Sequence, residues 1–241
     1  MKVRGVKFTD AVEMLTGERA ADYALPPQTT QERERKPLYL PLAHKNNDRA
    51  IAYLRSRGID REIIKRCIAD KSLYESKNGA CIFVGKDSSG TVKSASVRGT
   101  RDNTRRDASG SDKAYGFVLP LEKDSGAGIV TAFESSIDAL SHAGIAKTEK
   151  WDFDCYRLSL GGVSSKALLK FLEQNSGIKR VALCLDNDVA GIAAANSIKE
   201  KLAGLYPHIK VSVHAPAQGK DWNKCLQEAN KTNSRHKQAA R

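Results

Sequence analysis

An α/β fold with a central, mainly parallel sheet flanked by helices is predicted for the second half of the chain by two repeated signals. Short apolar runs end on a carboxylate or a glycine pair, and each is followed by residues with helical apolar spacing. Val181–Leu185 (VALCL) reads as a strand buried on both faces, as strands of parallel sheets are. It stops at Asp186 and Asp188, and IAAANSIKEKLAGL after Gly191 is helical in spacing. Upstream, Gly128–Leu140 (GIVTAFESSIDAL) repeats the order: a strand, Glu134 at its end, then a helix start with Asp138 one turn on. Arg157–Gly162 (RLSLGG) closes on paired glycines before the helical SSKALLKFLEQ. HIKVSVHAP supplies a further strand before GKDWNKCL, which carries Asp221 and, just before it, Lys220, expected either to touch phosphate or to be a surface residue.

This alternation puts acids at the carboxyl ends of strands, where open α/β sheets bind their ligands. Two carboxylates within three residues repel each other and are costly to bury, and a divalent cation removes that cost. The alternative is that one aspartate caps the following helix and the other is solvated. The triplet alone leaves both readings open. Gly161 and Gly162 likewise suit a tight turn that needs positive φ and a close approach of backbone to phosphate.

The order Glu134, Gly161-Gly162, Asp186-x-Asp188, Asp221 resembles the TOPRIM domain shared by bacterial primases, topoisomerases and some nucleases. In the primase branch the glutamate segment is of the form Glu-Gly-x-x-Asp, matched here by Glu134 and Asp138, with Ser135 where that family usually has glycine. The form Asp-x-Asp-x-Ala-Gly is matched by Asp186, Asp188, Ala190 and Gly191. The likeness runs from about Ile129 to Leu226. It implies a TOPRIM domain over residues 126–228 and a magnesium-dependent site in which manganese can substitute. Asp186 and Asp188 would hold the cation, and Asp221 and Asp138 would complete or orient its shell. Glu134 would be the general base or acid, or a ligand of a second ion. A topoisomerase would need a catalytic tyrosine on another domain, whereas Tyr156 and Tyr206 fall within the TOPRIM region and the chain is too short for strand-passage machinery.

The preceding residues read as a smaller α+β domain over 43–125. Asn47–Asp70 gives two helices separated by Gly58, the second capped by Asp60. Their basic residues Arg55, Arg57, Arg61, Lys65 and Arg66 read as solvated helix faces. ACIFVG and TVKSASVRGT, joined by KDSSG, read as a hairpin. The hairpin is similar to the primase core just before TOPRIM, with Asp87, Gly90, Arg98 and Gly99 carrying the likeness. The asparagine-rich signature that usually follows in replicative primases is not seen. Beside the hairpin, Arg98, Arg101, Arg105, Arg106 and Lys113 fall within sixteen residues, a density that favours phosphate or template contact over a mobile basic loop.

Residues 1–42 read as an N-terminal helix (Met1–Gly17) and a proline-bearing linker (Ala20–Leu42), and 229–241 as a disordered basic tail. The N-terminal helix resembles the segment that follows the zinc-binding module of primase-like proteins. The five scattered cysteines include no Cys-x-x-Cys, so no zinc is expected in this chain; they read as small buried hydrophobes. The five histidines show no ligand-like spacing.

A net charge of +12 points to a polyanionic partner, and with a cluster of acids it suggests an enzyme acting on nucleic acid. Aromatic residues make up only 6%, too few for a base-stacking platform. No apolar run approaches the length of a membrane helix and no signal-peptide core is present, so a cytoplasmic location and no membrane partner are expected. The expected function is primase-like nucleotidyl transfer in DNA replication or mobile-element maintenance. Single-stranded DNA and nucleoside triphosphates would be its substrates, and a helicase or relaxase a partner. A metal-dependent nuclease and a non-catalytic nucleic-acid-binding module are the alternatives.

Overall fold

Strands and helices follow the order read from the sequence, with short additions that only tertiary pairing makes. The computed structural model describes residues 36–122, 128–151 and 154–239. The helix expected over Met1–Gly17 and the linker as far as residue 35 lie outside the described residues.

The first part opens on helices α1 (Asp48–Ser56) and α2 (Arg61–Ala69). Gly58 turns the chain between them at φ +85°, and the Asp60 side chain caps α2 by accepting from the Glu62 amide at 2.9 Å. Strands β1 (Leu73–Glu75), β2 (Cys81–Lys86), β3 (Val92–Arg98) and β4 (Arg105–Asp107) form an antiparallel sheet in that order. The β2–β3 turn is held by Asp87, whose Oδ1 accepts from the amides of Ser89 and Thr91. Strand β4 is formed by the arginine cluster itself: Arg105 pairs with Arg98 and Arg106 with Val97.

The second part contributes β5 (Val118–Leu119), β6 (Ile129–Phe133), α3 (Ser136–Thr148), β7 (Tyr156–Ser159), α4 (Lys166–Gln174), β8 (Arg180–Leu183), α5 (Val189–Leu205), β9 (Lys210–Val213) and α6 (Trp222–Ala239). Its five strands lie in the order β5-β7-β6-β8-β9. All neighbours are parallel except β5, an antiparallel edge strand. The sheet is therefore mainly parallel, with helices connecting its strands, as the alternation predicted.

The tail expected to be disordered from residue 229 is instead helical as far as Ala239. No glycine or proline interrupts residues 222–239, and Glu228 pairs with Lys224 and Lys231, one turn away on either side. Polar composition was outweighed here by continuous helical propensity.

Burial gathers into three apolar clusters. One joins Leu54, Ile64, Leu73, Phe83 and Phe117 to Phe133, Leu140, Trp222 and Leu226, so α1, α2 and the first sheet share a core with α3 and α6. A second packs α4 and α5 on the parallel sheet through Leu168, Leu172, Ile198 and Leu202. The third covers the other face of the first sheet, around Ile82, Val84 and Val97. Residues from Lys36 onward form one compact unit. Among the described residues no helix is long and apolar enough to cross a membrane. All five cysteines are buried and free, and burial pushes the Cys67 and Cys81 thiols up to about 12.

His142 on α3 sits in the first core, against Phe133, Trp151 and Trp222. Its Nδ1 accepts from Arg157 Nε at 3.2 Å, and Arg157 also pairs with Asp154 at 3.6 Å. Burial, then the Arg157 charge and His214, depress its pKa from 6.5 to about 3. A folded-state pKa below the unfolded one contributes stability above pH 6.5 that is lost as pH falls from 6.5 toward 3. Urea unfolding between pH 7 and 4.5 should therefore show wild type losing stability faster than His142→Gln, by up to about 1.4 kcal/mol per pH unit. Parallel pH profiles for the two proteins would contradict this assignment.

Candidate metal centre and nucleic-acid cleft

Parallel pairing brings the chemically active segments side by side. β6 lies between β7 and β8 and runs parallel to both, with Phe133 opposite Ser159 and Ala132 opposite Leu183. The residues that follow the three strands, Gly161-Gly162, Glu134 and Asp186, therefore emerge at one rim. Glu134 Oε1 accepts a 3.1 Å hydrogen bond from the Asp186 amide, which ties the two strand ends together. A Cβ on Gly191 would stand 2.2 Å from the Asp186 carbonyl oxygen and 2.7 Å from Glu134 Oε1, so only glycine lets α5 start this close to the acids. Gly161 and Gly162, at φ +66° and +133°, have open space around their Cα atoms. Backbone conformation, not crowding, requires glycine there.

Glu134, Asp138, Asp188 and Asp221 are each oriented by a main-chain amide. Asp188 Oδ1 accepts from the Gly191 amide at 2.8 Å and caps α5, and Asp221 Oδ1 accepts from the Lys224 amide at 2.7 Å. Asp188 thus caps α5 through Oδ1, as the capping alternative expected, and turns Oδ2 to Lys220. Asp138 has both oxygens engaged: Oδ1 by the Asn223 amide at 3.1 Å and Oδ2 by the Ser135 hydroxyl at 2.5 Å. It is nearly fully buried and stands behind the others as an orienting group. Ser135, which replaces the family's usual glycine, caps α3 through the same hydroxyl.

The acids share one electrostatic field. Burial, then the carboxylates of Asp138, Glu134 and Asp221, push Asp186 up to about 7, against the lowering effect of Lys220. Asp138 is also raised, chiefly by burial. Asp188 is held below the usual range by its hydrogen bond with Lys220, whose Nζ lies 2.8 Å from Asp188 Oδ2 and 3.9 Å from Asp186 Oδ2. Among the described residues no three His, Cys, Asp or Glu side chains stand close enough to hold a metal ion as placed. The donor set is nonetheless one that hard cations prefer: mutually repelling carboxylate oxygens, with Glu134, Asp138, Asp188 and Asp221 each fixed on one side by a backbone amide.

Opposite the acids, the first sheet supplies a basic wall. A cleft of about 480 Å³ is lined on one side by Glu134, Asp138, Asp186 and Asp221, and on the other by Arg98, Arg105, Arg106 and Lys113, with Gly161 and Gly162 between. Arg98 is steadied by Tyr53, whose hydroxyl accepts from its Nε at 2.9 Å, while Lys113 pairs with Asp107 at 3.0 Å. Asp188 and Lys220 are not among the residues lining the cleft, and Arg101 is exposed outside it. One lining residue went unassigned by sequence reasoning. Arg57, at the end of α1, reaches the cleft with its Nε buried and without a hydrogen-bond partner. The Asn223 side chain donates to the Arg57 carbonyl oxygen and to Ser141 Oγ, both at 2.9 Å, and so fixes α1 against the acidic wall. No local pattern distinguishes Arg57 from its solvated neighbours; only the packing of α1 on α6 turns it inward.

The fold is similar to that of primase catalytic cores. The primase fragment of the bacteriophage T7 primase-helicase protein superposes with a TM-score of 0.54 at 21% identity, covering 81% of this chain and 80% of that one. The DnaG primase catalytic domain bound to single-stranded DNA gives a TM-score of 0.54 at 17% identity, covering 79% and 73%. At these identities the likeness is one of fold. Residues 131–226 match the Toprim-like family and residues 52–124 a family described as a protein of unknown function, DUF3991. Residues 131–226 thus form a TOPRIM-like domain. The 65 kDa protein of Zymomonas mobilis subsp. mobilis is 29% identical over 205 residues, which make up 81% of this chain and 34% of that protein. The chain therefore spans about a third of the length of this curated relative.

The tightness around Gly191 gives a test with a definite sign. Alanine in place of glycine inside an ordinary helix is stabilising by up to about 1 kcal/mol. Here Gly191→Ala forces the Asp186 carbonyl aside and should cost about 1–3 kcal/mol. Thermal unfolding of the metal-free protein measures it; a variant as stable as wild type would show that the contact at this rim is not close.

Proposed function

We propose that the chain is a metal-dependent nucleotidyl transferase of the primase type, acting on single-stranded DNA with nucleoside triphosphates. The observation that carries the reading is the polarity of one cleft, whose acidic wall faces an arginine-rich wall. A triphosphate and its cation need this pairing, because the acids would otherwise repel the substrate. Asp186, Asp188 and Asp221 are the residues that would hold the ion, oriented by Asp138. A divalent ion there would neutralise charge on the reacting phosphate and lower the pKa of the attacking hydroxyl.

The chain's own groups have separate tasks. Arg57, Arg98, Arg105 and Arg106 bind the triphosphate and the template phosphates, and the turn at Gly161-Gly162 lets backbone approach them. Glu134 has Oε1 committed to the Asp186 amide. Its Oε2 is left to take the proton of the attacking hydroxyl as the new oxygen–phosphorus bond forms and pyrophosphate leaves. The DnaG domain to which the fold is similar was captured on single-stranded DNA, which supports the same substrate here. A cytoplasmic protein of DNA replication or mobile-element maintenance, working beside a helicase or relaxase, is the setting this activity fits.

The test is extension of labelled nucleotides on single-stranded DNA with Mg²⁺ or Mn²⁺. Wild type should make short products, and Glu134→Gln and Asp186→Asn should each reduce the rate about a hundredfold or more. Arg57→Ala should weaken nucleotide binding more than turnover. Strand cleavage without nucleotides would replace this reading with a nuclease. Neither activity, together with unchanged DNA binding by Asp186→Asn, would leave a binding module.

A further inference from the structure

Lys220 is placed in an unusual way. Its carbonyl oxygen accepts a 2.7 Å hydrogen bond from the amide of Asn187, the residue between the two aspartates, so its main chain is pinned to the Asp186–Asp188 loop. Gly219 turns the chain immediately before it at φ +80°. The side chain, in contrast, is 62% exposed, and its ammonium lies 2.8 Å from Asp188 and 3.9 Å from Asp186. A lysine head is a compact point charge on a flexible stem, which is what a removable cation requires. Its charge also lowers the Asp186 pKa against the raising effect of the acidic neighbours.

We propose that Lys220 is the built-in counter-cation of the metal-free site. Its ammonium occupies the position between Asp186 and Asp188 that a divalent ion takes, and ion entry displaces it toward the cleft, where it meets the phosphates of the substrate. The inference rests on the reading of these acids as a metal site and adds to it a competitor for that site. Two consequences follow. Ion binding is weaker than the acids alone would make it, and the lysine becomes available to substrate only once the ion is in place.

Competition is measured without catalysis, by titrating Mn²⁺ against the full chain and following free Mn²⁺ by electron paramagnetic resonance. Lys220→Met should bind Mn²⁺ about tenfold more tightly than wild type, the effect of one charge removed at contact distance. Lys220→Arg, which keeps the charge, should not. Lys224→Met removes an exposed charge four positions on that pairs with Glu228 instead, and should leave the affinity within about twofold of wild type. Equal or weaker binding by Lys220→Met would overturn the proposal while leaving the metal site intact. So would an equal gain in Lys224→Met, which would mark a diffuse field effect. Absence of Mn²⁺ binding in every protein would overturn the metal-site reading and this proposal together.

Discussion

The hydrogen bond from the Asp186 amide to Glu134 Oε1 holds together two strand ends that are 52 positions apart in sequence. It exists because β6 and β8 are adjacent and parallel, so both strands deliver their following residues to the same rim. The neighbouring β7 delivers the glycine pair by the same rule, and β9, on the far side of β8, leads to Asp221. An antiparallel arrangement of these strands would send alternate segments to opposite ends and leave no site. The absence of a side chain at Gly191 completes the constraint, since α5 could not otherwise begin against that bond.

Gathering acids in this way is unfavourable by itself, and the fold compensates locally. Glu134, Asp138, Asp188 and Asp221 each accept from a main-chain amide, and Asp138 also from Ser135, so the orientation of these four is set by the backbone. What remains is net negative charge, opposed at short range by Lys220 and across the cleft by the arginines of β3 and β4. The two walls come from sequence regions that match different families, yet they share one apolar core through Leu54, Phe83, Phe133 and Trp222. The distance between acid and arginine is thereby set by packing rather than by a hinge.

The parallel sheet was legible in the sequence because its strands hold short apolar runs and its helices are periodic, and both signals are local. Glu134 and Asp186 were legible for the same reason, since each follows a readable strand. The short strands β4 and β5 were not, because two or three residues carry no periodicity and exist only by pairing with β3 and β7. Arg57 was read as solvated since α1 looks amphipathic on its own; its role depends on Asn223, which is 166 positions away. The helix beyond residue 229 was missed by weighing polarity over uninterrupted helix formers. Where the sequence was silent, the deciding contact joined residues remote from one another.

The claim on which this account stands is that the acidic wall holds a divalent ion and the basic wall the triphosphate it activates. Crystals of the protein with Mn²⁺ and a non-hydrolysable nucleotide, measured at the manganese absorption edge, test it most directly. The account predicts an anomalous peak beside Asp186 and Asp188, with Glu134 in reach and the triphosphate against Arg98 and Arg105. A well-ordered nucleotide elsewhere, or manganese absent from these acids, would contradict it.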